Sequence, residues 1–168
     1  METTRGPVDG EIEQFWNLAK RHARLETLPG YFGPDALTSV PPPAWAFGAD
    51  AEQSDRLLRL VLDGTKTATA SAREDYGDDE PLPEPGTLGI VLDGAGRPRA
   101  LVATTAVRVV PFDEVDAEHA HAEGEGDRSL EQWRAEHEHF FSENDPLGRG
   151  FRPDMPVVLE QLRVLYQA

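Results

Sequence analysis

The sequence predicts an α+β domain: a small, mostly antiparallel, partly closed β-barrel with helices packed outside it and a helical extension at the N-terminus. Three observations lead there. Two amphipathic helical stretches come first, then the apolar periodicity switches to two, and strand-like runs continue to the end with a pair of helices among them. Parallel βαβ crossovers do not repeat along this order, which argues against a doubly wound sheet. The 168 residues are 39% hydrophobic, with three Trp and seven Phe, enough for one real core. We divide the chain into a helical extension with a wrapping loop, 1–44, and a main domain, 45–168.

The elements follow in order. "VDGEIEQFWNLAKRHA" reads as a helix with Asp9 as N-cap and Ile12, Phe15, Trp16 and Ala19 on one face. "LPGYFGPDALTSVPPPAWAFG" is too apolar for a free linker and is expected to wrap over the body. "ADAEQSDRLLRLVLDG" is a second helix, started by Asp50 or Ser54, with Leu57, Leu58, Val61 and Leu62 as its stripe and Gly64 at its end. "KTATASA" then alternates strictly, and "TLGIVLD" and "RALVATTAVRVV" are β-rich runs joined by the turn "GAGRP". "EDYGDDEPLPEPG" reads as an exposed acidic loop. "PFDEVDAEHAHAEGEG" holds a short helix closed by glycine. "DRSLEQWRAEHEHFFSEN" is a stronger helix, with a capping box at Ser129 and Gln132 and a packed side of Leu130, Trp133, His137, Phe140 and Phe141. After the loop "DPLGRGFRPD", "MPVVLEQLRVLY" is the last strand.

Charge and composition narrow the function. With 31 acidic and 16 basic residues the net charge is -15, which opposes bulk binding to a phosphate backbone or duplex. A local basic pocket for a nucleoside or a short single strand remains compatible with it. The chain has no cysteine, so disulfides, thiolate catalysis and Cys-ligated zinc are excluded. The N-terminus has no basic region followed by an apolar run, and no apolar stretch approaches the roughly 20 residues of a membrane helix. The expected setting is soluble and cytoplasmic, without a membrane partner.

One stretch asks for chemistry. In "DGTKTATASA" Lys66 is one of two lysines, in a chain whose other 14 basic residues are arginines. In a strand Thr67, Thr69 and Ser71 share one face and Ala68, Ala70 and Ala72 the other. The alanine face admits a closely packed neighbour; the hydroxyl face wants partners or solvent. A lysine can give up its proton when desolvated, whereas an arginine cannot. A threonine hydroxyl is a weak nucleophile until a base takes its proton. Lys66 and Thr69 are thus a candidate base and nucleophile. The same residues also suit a plain helix-to-strand turn.

Three segments together carry a family resemblance: "GTKTATAS", "PLPEPGTLGIVLDGAGRPRALVATTAVRVVPFDEVDAEHAHAEGEGDRSLEQWRAEHEHFF" and "DMPVVLEQLRVLY". Over residues 45–168 the chain resembles the ASCH domain family, whose fold is the PUA-like barrel. The resemblance implies a cleft between barrel and helices suited to RNA or nucleoside ligands. One subgroup consists of small amidohydrolases that remove the acetyl group from N4-acetylcytidine with a Lys, a Thr and a Glu. Carried onto this chain these are Lys66, Thr69 and Glu125. Other ASCH proteins resemble metal-assisted ribonucleases acting in the same cleft.

Lys66 would then activate Thr69, and Glu125, in the glycine-flanked turn "EGEGD", would orient Lys66 or pass a proton to the leaving amine. Thr67 and Ser71 would floor the pocket, with Arg73 following the motif. Arg128 would bind a phosphate or pair with neighbouring acids. Arg149 and Arg152 flank Phe151, which would stack on a base or plug the barrel end. His119 with His121, and His137 with His139, are i, i+2 pairs that cannot share a helix face, so neither pair is expected to chelate a metal. Three function classes follow: a hydrolase of a small acylated nucleoside without a cofactor, a ribonuclease on single-stranded RNA with a divalent metal, and a non-catalytic RNA-binding module.

Overall fold

The computed structural model describes residues 9–23, 40–145 and 147–168. Most of the expected wrapping loop and the capping side chain of Asp9 lie outside the described residues. Helix α1 runs Asp9–His22 and α2 Ala51–Leu62. Helix α3 runs Ala117–Glu123 and α4 Leu130–Glu143. The strands are β1 Ala44–Trp45, β2 Ala68–Ala72, β3 Leu88–Leu92, β4 Pro98–Pro111 and β5 Pro156–Gln167.

Local chemistry explains the boundaries. Asp50, not Ser54, caps α2, accepting from the Gln53 amide at 2.8 Å. Ser54 is buried one turn on and donates to the Phe47 carbonyl at 2.5 Å, tying the helix to the chain before it. Ser129 caps α4 by accepting from the Gln132 amide. The box is half made, because the Gln132 side chain accepts from Asp127 N–H instead of Ser129 N–H.

The strands form one sheet in the order β1-β3-β4-β5-β2. Pairs β3–β4, β4–β5 and β5–β2 are antiparallel, and β1–β3 is parallel. The pairing is mostly antiparallel, as expected, but the barrel is corrected to an open sheet, made mixed by the parallel β1–β3 pair. Its two outer strands, β1 and β2, are not paired with each other. The physical reason lies in "PPPAW": prolines cannot donate to a ladder, and β1 has only two residues to offer.

Helices α1 and α2 cover opposite faces of the β3–β4 hairpin. Phe15, Trp16 and Ala19 pack on Ile90, Leu92 and Leu101, while Leu57, Leu58 and Val61 pack with Val91, Ala100 and Val102. Helices α3 and α4 cover the β5–β2 side, where Ala72, Val157 and Leu159 meet Ala120, Trp133 and Phe141. Ala68 and Ala72 are buried, and Ala70 packs against the same cluster. The alanine face of β2 thus lets two helices close on it. The opposite face, with Thr69 and Ser71, is left to the cleft.

Candidate functional site

Backbone contacts fix Lys66 before its side chain is considered. Its N–H donates to Leu60 O at 2.9 Å, and the next amide, of Thr67, donates to Ala122 O at 2.8 Å. Leu162 N–H closes the other side on Thr67 O. The turn from α2 to β2 is therefore clamped between α3 and β5. Gly124 makes the approach possible: its φ is +71°, and a Cβ there would stand 2.5 Å from Thr65 O.

The Lys66 side chain is 3% exposed, far below the norm for lysine. Its Nζ donates to Ala68 O at 2.9 Å, to Glu125 Oε2 at 3.3 Å and to Glu123 O at 3.4 Å, with Glu123 Oε1 at 3.5 Å. Its polar neighbours are all acceptors.

Among the described residues Glu123 is the most buried ionisable group, 1% exposed at the end of α3. Its Oε2 lies 2.6 Å from His119 Nε2 and accepts from the indole Trp133 Nε1–H. Its Oε1 faces Lys66 and, at 3.4 Å, His137 Nε2. Burial alone would raise the Glu123 carboxyl; the hydrogen bonds of His119 and His137 and the Lys66 charge outweigh it and hold the group well below the carboxylate range. Burial would lower His137, but the hydrogen bond and charge of Glu123 dominate and raise it above its ordinary value. His137 is also stacked on Trp133, centroids 4.1 Å apart. A carboxylate with four donors is a satisfied buried ion.

This cluster forms the back of a cavity of about 580 Å³, lined by Lys66, Thr69, Glu125, His137, Phe47 and Phe140 among others. Phe47 also stands under the Lys66 ammonium, 5.5 Å from ring centroid to Nζ. The remaining charged lining is acidic: Asp50, Glu52, Glu136 and Glu143 against Arg56. Glu123, Glu125 and His137 could each offer a ligand atom within 4.8 Å of one another. Lys66 Nζ already sits 3.3–3.5 Å from both carboxylates. A divalent ion would be brought against that ammonium, so the residues do not fit a metal while Lys66 holds its place.

Lys66, Thr69 and Glu125 thus line one cavity, although 59 residues separate Lys66 from Glu125. Other expected site residues lie elsewhere. Thr67 is exposed and turns its hydroxyl to Ala122 O, so it does not floor this pocket. Ser71 bonds the Tyr76 hydroxyl at 3.3 Å and lines a second, adjoining cavity. Arg73 opens a 3-10 turn and lines neither cavity. Arg128, at φ +64°, directs its guanidinium to His121 O and Thr65 O; it braces the backbone behind the site and lines neither cavity. Arg149 and Arg152 pair with Glu74, and Phe151 packs edge-on against Phe112 at 4.8 Å. Phe151 therefore plugs the core, and the two arginines share the single carboxylate of Glu74.

His119, Glu123, Trp133 and His137 were missing from the sequence-derived set. The inner member of each HxH pair points in and the outer one is exposed, as the face argument requires. The two inner histidines nevertheless meet, across helices, on Glu123.

An open mixed sheet carrying a lysine–carboxylate cleft between strand and helices defines the class, a PUA-like α+β domain. The chain belongs to the ASCH domain family, whose model matches residues 43–166. Protein EF3133 from Enterococcus faecalis is similar in structure: 34% identity, TM-score 0.79, with 96% of each chain covered. An ASCH domain from Lactobacillus crispatus is similar at 30% identity and TM-score 0.75, covering 94% of this chain and 96% of its own. No curated protein matches the sequence. ASCH domains are associated with binding RNA or acting on it. No helix among the described residues is long and apolar enough to cross a membrane.

Proposed function

We propose that this protein hydrolyses the amide of a small acylated nucleoside of the N4-acetylcytidine type. One observation carries the reading. A buried lysine, held between two carboxylates, shares a cavity with a threonine hydroxyl, and the rest of that cavity's charge is mainly acidic. An acidic lining repels a long polyanion and admits an uncharged ligand. The volume of about 580 Å³ is in the range of small-molecule sites.

The chemistry divides between three groups. Lys66 passes a proton to Glu125, the more accessible of its two carboxylates, and its amine then takes the proton of Thr69 Oγ1. The Thr69 oxygen bonds to the amide carbon, and the C–N bond breaks as Glu125 returns its proton to the leaving amine. Water attacks the resulting Thr69 ester, releasing the carboxylic acid and restoring the hydroxyl. Glu123 takes no part in proton transfer. It stays ionised and keeps Lys66 and His137 in place.

The test offers the protein N4-acetylcytidine and a short single-stranded RNA, each with and without magnesium. Release of cytidine and acetate without metal, with the RNA intact, is the expected result. Cleavage of the RNA with the nucleoside untouched would replace this reading with the ribonuclease.

A further inference from the structure

A second cavity, of about 630 Å³, opens on the hydroxyl face of β2. Phe47, Thr69 and Phe140 line both cavities, so Thr69 stands at their junction. The two differ in character. The first mixes cations with its acids; the second has no Lys, Arg or His in its lining and is walled by Trp45, Tyr76, Pro81 and Pro83. Trp45 meets Phe47 edge-on at 4.7 Å. Its indole lies so close over Gly89 that a Cβ there would stand 2.6 Å from Nε1. Flat apolar walls of this kind receive a planar ring.

Three carboxylates line this cavity, Asp75, Glu80 and Glu160, and Glu160 is the one that lies across the strands from Thr69. It pairs with Thr69 in the β2–β5 register, so both side chains leave the same face, with Cβ atoms roughly 4.5–5.5 Å apart. Glu160 Oε1 accepts from Thr104 Oγ1 at 3.0 Å, its one hydrogen bond among the described residues. Oε2 has no donor among the described residues, and Glu160 lines the cavity. Burial pushes the Glu160 carboxyl up, and the Thr104 hydrogen bond only partly offsets it. A half-desolvated acceptor with one oxygen unmatched is a place where a ligand's donor gains most.

We infer that this second cavity binds the amine half of the substrate, a planar heteroaromatic ring carrying an amino or ring N–H donor, with Glu160 Oε2 accepting from that donor. The ring then lies between the Trp45 and Tyr76 walls, and the amide it carries falls at Thr69, with the acyl group toward Lys66. The assignment of halves rests on the hydrolase reading; ring recognition by Glu160 does not, so the two can fail separately. Glu160 is a specificity-determining residue in this arrangement, since it selects the leaving group and leaves the acyl side untouched.

The test is binding of two non-hydrolysable probes to the full chain by calorimetry: cytidine, and its 4-deamino analogue pyrimidin-2-one riboside. They differ in one amino donor. The parent protein should bind cytidine ~10-fold tighter, the scale of one hydrogen bond to a charged acceptor. Glu160→Leu should erase that preference. Glu160→Gln, which keeps the shape and one acceptor oxygen, should reduce it to ~3-fold and decides the matter if the leucine variant fails to fold. A preference as large as the parent's in either folded variant overturns the inference, as does no binding of either probe by the parent. Discrimination without turnover of N4-acetylcytidine would leave the ring site standing and remove the hydrolase. Turnover without discrimination would do the reverse.

Discussion

Replacing Glu123 by Gln keeps the volume and removes the charge on which four donors converge. Lys66, His119, Trp133 and His137 all address this carboxylate. Glutamine keeps one acceptor oxygen and turns an NH2 group toward donors. Breaking a buried ion pair by removing one partner costs ~3–5 kcal/mol. Glu125 still reaches Lys66 at 3.3 Å, which places the expected loss near the lower end. A loss of ~3 kcal/mol corresponds to a fall in Tm of ~6–12 °C for a chain of this size. The assay is urea unfolding followed by circular dichroism, with the midpoint lowered and the slope unchanged. The pH dependence adds a second readout. Glu123 titrates below its ordinary 4.5, so its contribution is whole above that value and is lost as pH falls through the depressed one. His137 titrates above its ordinary 6.5, so its contribution is whole below that value and is lost as pH rises through the raised one. Glu123→Gln should flatten both limbs. A variant within ~1 kcal/mol of the parent, with the parent's pH dependence, refutes the network as the anchor of the site.

Other substitutions separate the roles of neighbouring groups. Lys66→Arg keeps the charge and should reduce turnover at least ~100-fold, and Thr69→Ala should do so similarly, with losses that do not add in the double variant because both act in one step; full activity in Lys66→Arg would leave the lysine as a positive charge only. Gly124→Ala should cost more than the ~1–2 kcal/mol of left-handed strain, because its Cβ must also displace Thr65 O and with it the Lys66 turn; thermal unfolding measures this. Arg149→Ala, outside both cavity linings, should leave turnover within ~2-fold and stability within ~1 kcal/mol, while Arg152→Ala, whose pair with Glu74 is half-buried, should also spare turnover but cost more stability than Arg149→Ala.

The elements governed by local chemistry were legible in the sequence. The period-two alternation after Lys66 places β2, and the hydroxyl and alanine faces diverge because strand geometry leaves no other option. Ser129 and Gln132 mark the start of α4 because a side chain three residues away is within reach. What depends on distant partners was not legible. Two residues at Ala44–Trp45 are too few for a period, so β1 and its parallel pairing stayed hidden inside a Pro-rich stretch, and the open sheet with them. The basic loop around Phe151 read as a nucleic-acid platform because Glu74, the acid its two arginines share, lies 78 residues from Arg152. Lys66 stood out by the scarcity of lysine. Glu123 did not, since it sits in an acid-rich turn beside Glu125, and nothing in the string says which carboxylate α3 turns inward. A signal existed in the i, i+4 spacings His119–Glu123 and Trp133–His137, which place paired groups on one helix face.

The central claim is that Thr69 is a nucleophile activated by the buried Lys66. Rapid mixing with N4-acetylcytidine, acid quenching and tandem mass spectrometry test it directly, because a covalent intermediate is a population that can be caught. The account predicts one added acetyl group on the peptide containing Thr69, present in the parent protein and missing in Lys66→Arg. Cytidine released at full rate with no acetyl group on Thr69, or equal release by Thr69→Ala, contradicts it.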